Sequence, residues 1–135
     1  MKWIKKLFKK KPKLTEVDLK WNKMCDMYAE GTLPSPYEEI FDYDSGIQGE
    51  GHHCYFDNCG DDLKRIIEVL MNNLPEVLKE NLKNAYDCFN RLESGSESED
   101  DVNAIEECDS VYYKNEELIK NILEEYASTI DLSKW

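Results

Sequence analysis

Between Lys23 and Lys64 the chain has no lysine or arginine, a gap of 40 residues in a protein that holds 17 such residues in all. That gap argues against direct nucleic-acid binding, which needs cations spread along a surface to replace counterions on the phosphates. No apolar run approaches the roughly 20 residues needed to cross a bilayer, and no secretory h-region is present. Alternation of apolar and polar residues, the mark of a half-buried strand, does not extend over any useful length. A repeat of about 20 to 50 residues, which would mean a solenoid or propeller, is also missing. There is no phosphate-binding glycine loop.

The 135 residues, 41% of them hydrophobic, suit one domain with a single core. Charge is distributed unevenly. Residues 1–13 hold seven lysines (Lys2, Lys5, Lys6, Lys9, Lys10, Lys11 and Lys13) and no acid, so residues 14–135 carry ten basic residues against 29 acids. Two parts are expected: a basic amphipathic leader, 1–13, and an acidic all-α domain, 14–135. Trp3, Ile4, Leu7 and Phe8 share one helical side of the leader, a pattern for weak peripheral contact with anionic lipid. The five cysteines, an odd number, fit a reduced, cytoplasmic setting without disulfides.

From Leu14 onward the periodicity is helical. Thr15 is placed as an N-cap with Asp18 at N3, Val17, Trp21, Met24, Cys25 and Tyr28 follow at helical spacing, and Gly31 ends the helix. Ser35, Pro36 and Glu38 suggest a second cap, ahead of Tyr37, Ile40 and Phe41, with breakers at Ser45 and Gly46. Leu63, Ile66, Ile67, Leu70 and Met71 form another amphipathic stripe. Pro75 and Glu76 restart a helix that carries Val77, Leu78, Leu82, Ala85, Tyr86, Phe89 and Leu92. The acidic segment 93–101 has no apolar residue and reads as a solvated loop. Val102 and Ile105 begin a further helical piece, and Leu118, Ile119, Ile122, Leu123 and Tyr126 mark the last helix. These elements predict an all-α, compact single-domain bundle of about five or six helices.

"GEGHHCYFDNCGDD", residues 49–62, concentrates both histidines and two of the cysteines. His52, His53, Cys54 and Cys59 are all zinc-ligand types, but no second ligand pair occurs elsewhere. Adjacent histidines on a helix also point about 100° apart. Cys54 beside His53 invites a nucleophile reading, yet a catalytic cysteine ordinarily takes its histidine from elsewhere in the chain. No metal, no cofactor and no catalytic residue is expected, and the protein is not expected to be an enzyme. The segment reads as a structural helix and its boundary.

In Gly51, the pair Tyr55 and Phe56, Asn58, Gly60 and Asp61, this segment resembles the signature of a bacterial domain family that includes a Neisseria DNA-mimic protein, in its C-terminal domain type. There a glycine pair opens an aromatic helix, and Gly-Asp begins the next. The stretches "DDLKRIIEVLMNNL" and "PEVLKENLKNAYDCF" have the family's character, and the likeness covers roughly residues 14–92. It implies a helical fold and raises DNA mimicry as a function.

The surface charge leads to the same class. The gap after Lys23 contains Asp26, Glu30, Glu38, Glu39, Asp42, Asp44, Glu50, Asp57, Asp61 and Asp62. Carboxylates at i and i+4 lie about 6 Å apart along a helix, close to the spacing of successive phosphates. Glu38, Glu39, Asp42, Asp44, Glu50, Asp57, Asp61 and Asp62 are therefore the expected partner-binding residues, and the partner is a basic protein such as a DNA-binding protein. The alternatives are an immunity or inhibitor protein that caps a basic nuclease toxin, and acidity that serves solubility alone. Self-association into a homodimer stays open.

Overall fold

A computed structural model describes residues 14–95 and 98–134, so the leader and its candidate membrane residues Trp3, Ile4, Leu7 and Phe8 lie outside the described residues. Within them the fold is all-α: α1 Glu16–Glu30, α2 Tyr37–Cys59, α3 Leu63–Asn73, α4 Glu76–Glu93, α5 Glu99–Lys114 and α6 Glu116–Ser128, with 3-10 turns at Gly60–Asp62 and Leu132–Lys134. None of these helices is long and apolar enough to cross a membrane.

α1 begins as its sequence dictates. The Thr15 hydroxyl accepts from the Asp18 amide at 3.1 Å while the Asp18 carboxylate accepts from the Thr15 amide at 3.0 Å, and Gly31 closes the helix with φ 73°. Those bonds hold the exposed Asp18 carboxyl below its ordinary pKa.

α2 is the central element and touches α3, α4, α5 and α6. Its fully buried Ile40, Tyr43 and Ile47 meet Leu70 of α3, Leu78 and Leu82 of α4, Tyr112 of α5 and Ile119 of α6 in one core. Each side chain of this size stabilises the fold by about 1.5–3 kcal/mol through burial. Aromatic contacts tie α1 and α6 to α2: Tyr28 stacks on Phe41 with ring centroids 4.2 Å apart, and Tyr37 stacks on Tyr126 at 4.1 Å.

Three sequence expectations are corrected. The breakers expected at Ser45 and Gly46 do not end a helix; α2 runs on and bends at Gly51, whose φ of 84° and ψ of 175° leave the helical region. Gly46 lies inside the helix because the Tyr55 ring packs against it, where an added Cβ would come within 2.3 Å of a ring carbon. The acidic segment 93–101 is not one loop: Glu93 ends α4, while Glu99, Asp100 and Asp101 form the first turn of α5. Acids are favoured there because amide groups at a helix N-terminus carry partial positive charge. Val17 and Val77, placed on apolar stripes by their spacing, are 72% and 41% exposed, and Val102, expected to begin a further helical piece, is 42% exposed.

Candidate acidic interaction face

The bend at Gly51 organises the segment that holds both histidines. Beyond it the chain turns so that the His52 side chain is completely buried, between Tyr43 on the first limb of α2 and Asp109 on α5. The imidazole Nδ1 lies 2.6 Å from Asp109 Oδ1, and Nε2 lies 2.7 Å from the Tyr43 hydroxyl. A neutral ring protonated on Nδ1 satisfies both contacts, donating to the carboxylate and accepting from the phenol. The His52 backbone amide donates to the same carboxylate oxygen at 2.8 Å. His53, one residue on, is exposed and sets its ring edge-on to Phe89, with centroids 5.5 Å apart.

Cys54 is exposed and Cys59 is half-buried beside Tyr55. The four candidate ligands thus have different surroundings. Among the described residues no group of three or more His, Cys, Asp or Glu side chains is arranged to hold a metal ion.

The expected partner-binding acids divide between two sides of α2. Asp44 is half-buried; the Tyr112 hydroxyl donates to it, and it borders α6 beside Trp21, Gln48 and Lys120. Its role is to join α2 to α5. Asp42 is exposed on the other side and accepts a hydrogen bond from the Tyr28 hydroxyl. Burial, followed by the Asp42 bond, pushes the Tyr28 phenol up to about 12. Glu39 is only 9% exposed: its Oε1 accepts from the Ser35 hydroxyl at 3.0 Å and lies 3.6 Å from Arg65, while its Oε2 is buried with no hydrogen-bond partner. Glu38, Glu50, Asp57, Asp61 and Asp62 are exposed, and Glu50 accepts from the Asn58 amide across the bend at 2.7 Å.

Two adjoining grooves run between α2 and α3. The larger, about 490 Å³, is bordered by Asp42, Glu50, Asn58, Asp62 and the Tyr55 ring, and no cationic side chain lines it. The smaller, about 190 Å³, is bordered by Glu38, Glu39, Asp42 and Arg65. Asp42 and Ile66 belong to both, so the two form one continuous face. Among the described residues no ion pair neutralises Glu38, Asp42, Glu50 or Asp62.

In the sequence Tyr55 stands out only as part of the aromatic pair of the signature and is not expected at the acidic face. Tyr55 is 4% exposed and lines the larger groove, and its hydroxyl is buried with no hydrogen-bond partner of good geometry. Burial, with the neighbouring Cys59 thiol second, pushes this phenol far above its ordinary range. The thiol is a weak partner and completes no bond of good geometry. Nothing in the local pattern marks this residue, because its environment is made by a helix bend and by Gly46 nine positions earlier. Comparison of the chain with protein-family models, with curated proteins and with solved structures finds no match.

Proposed function

We propose that this protein is a non-enzymatic interaction protein whose α2–α3 face engages a basic DNA-binding protein in place of DNA. The observation that carries the reading is the continuous pair of grooves in which Glu38, Asp42, Glu50 and Asp62 meet without a neutralising ion pair among the described residues. Acids that served solubility alone would need no fixed arrangement. Here the carboxylates stand on helices whose buried sides pack into one core. The resemblance of the 49–62 segment to a family with a DNA-mimic member supports the same class of partner. Such a surface gathers positive charge at long range and releases it as salt screens the attraction, over a Debye length of about 10 Å at 0.1 M.

The test is competition. A purified basic DNA-binding protein from the same source is titrated with this protein in the presence of labelled duplex DNA. The reading expects DNA to be displaced at low salt, with an effect that falls steeply as salt rises. Failure to displace DNA from any such protein at low salt would contradict it.

A further inference from the structure

Apolar surface on α1 continues past the point where the core ends. Val17 is 72% exposed, and Leu14, where the described chain begins, is 61% exposed. Val17 stands four positions before Trp21 on the same side of the helix, and Trp21 is half-buried against the core. With Ala127 and Ser128 of α6 these two residues line a groove of about 190 Å³, lined also by Glu16, Lys20 and Glu124. A cavity of about 150 Å³ accepts one benzene ring, so this groove has room for a single aromatic side chain. Single apolar residues are ordinary on a protein surface, but here a stripe leads from solvent into the core at a concave place.

Charge narrows the choice of occupant. Trp21 also lines a second groove, about 380 Å³, with Asp44, Gln48, Glu116, Glu117, Lys120 and Leu123. Together the two grooves present five acids and two lysines, and both lysines are engaged. Lys20 Nζ donates to the Ser128 carbonyl at 3.1 Å and lies 3.4 Å from Glu16, and Lys120 Nζ lies 3.9 Å from Glu124. Such surroundings suit an occupant with apolar side chains on one side and cations around them. An anionic lipid surface would be repelled by these acids, and a second copy would bring its own excess of them.

We propose that residues 1–13 of the same chain cover this groove, with the Phe8 ring entering it beside Val17, Trp21 and Ala127 and the leader's lysines facing Glu16, Glu117 and Glu124. The leader sequence sets Trp3, Ile4, Leu7 and Phe8 on one helical side and holds seven lysines. It joins the described chain at Leu14, three residues before Val17, so the occupant is tethered at the edge of its own site. Pro12 disfavours helical backbone at Lys11 and favours a change of direction there. Residues 9–13 reach up to about 17 Å when extended, and Val17 and Trp21 are about 6 Å apart along α1, so the tether is long enough. A short tether holds its end at millimolar effective concentration, which keeps even a weak contact occupied. The side chains that would enter lipid are the ones that enter the groove, so docking and membrane contact exclude each other. None of this depends on the α2–α3 face.

The experiment uses the full chain at low salt. It follows nuclear Overhauser contacts between the Phe8 ring and the methyl groups of Val17 and Ala127, together with the rate of tryptic cleavage at the leader lysines. Expected are contacts that do not change on dilution, and cleavage that speeds up about tenfold in Val17→Ser, the fold-change for the loss of about one buried aliphatic side chain. Val17 takes no part in the core, so this variant should keep its helicity. Leu7→Ser combined with Phe8→Ser should lose the contacts and lower the melting temperature by about 3–6 °C. Val77→Ser on α4, which lines neither groove, should leave the cleavage rate unchanged. Absence of the contacts in the parent, or a Val17→Ser variant cleaved at the parent's rate, would overturn the proposal. Contacts that fade on dilution would assign the groove to a second copy, and leader contacts seen only with vesicles of equal phosphatidylcholine and phosphatidylserine would assign the leader to lipid; either result overturns it as well.

Discussion

Asp109 Oδ1 accepts from two donors of a single residue, the His52 backbone amide at 2.8 Å and the His52 ring Nδ1 at 2.6 Å. One carboxylate oxygen on α5 thereby fixes the position and the ring orientation of the first residue beyond the bend in α2. Three residues along α5, the Tyr112 hydroxyl donates to Asp44 on the limb before the bend. The two contacts tie both limbs of α2 to α5, one on each side of the bend at Gly51.

Removing the carboxylate should therefore cost more than an exposed acid would. Asp109→Ala leaves two donors of the buried His52 without a partner, and a loss of about 3 kcal/mol is expected. Asp109→Asn keeps an acceptor oxygen and should cost about half as much. Urea unfolding of both variants checks the order; equal losses would mean that the contact acts through packing alone.

Gly51 is expected to be intolerant of substitution, for two reasons acting together. Its backbone lies in a region that only glycine adopts readily, and a Cβ there would sit 2.6 Å from Asp109 Oδ2. Gly51→Ala should destabilise by about 3 kcal/mol or more. Gly49→Ala, two residues earlier in the helix with open space around it, should stabilise by about 0.5–1 kcal/mol. Thermal melts of this pair separate the demand at the bend from ordinary helix propensity.

Stability should fall on the alkaline side. Burial and then the Asp42 hydrogen bond raise the Tyr28 phenol from 10.0 to about 12, and burial raises the Cys108 thiol from 9.0 to about 11. Both groups are held in the neutral form by the folded state. Their contribution is complete below the ordinary values and is lost as pH rises through about 9 to 12. Burial raises the phenols of Tyr43, Tyr55 and Tyr112 in the same direction. Absorbance of tyrosinate followed against pH, together with helicity, should show phenols ionising in step with loss of structure. Independent titration of all tyrosines near pH 10 in an intact fold would contradict this.

Much of the helical framework was legible because it depends on local signals. Thr15 and Asp18 announce their own cap, and the spacing of Leu63, Ile67 and Leu70 places them on one buried side. What could not be read is whatever depends on two segments meeting. Asp109 looks like one acid among many until α5 brings it to His52. Gly46 looks like a breaker until the Tyr55 ring is set against it. Asp44 and Asp42 are two residues apart, yet on a helix they point to different sides, and only Asp42 reaches the α3 face. Three of the residues first assigned to the partner surface, Glu39, Asp42 and Asp44, also hold the fold through Ser35, Tyr28 and Tyr112. Neutralising them would confuse folding with recognition, and exposed acids are the sounder probes.

The most direct test of the acidic face compares two triple variants that remove the same charge. One carries Glu38→Gln, Glu50→Gln and Asp62→Asn on the α2–α3 face; the other carries Glu93→Gln, Glu99→Gln and Asp100→Asn around the α4–α5 connection. Affinity for one basic DNA-binding protein is measured for each across a range of salt. The account predicts that the face variant loses at least about tenfold more affinity than the other and shows a shallower dependence on salt, because fewer counterions are exchanged. Equal losses from the two variants would show that net charge alone attracts the partner, and would contradict the account.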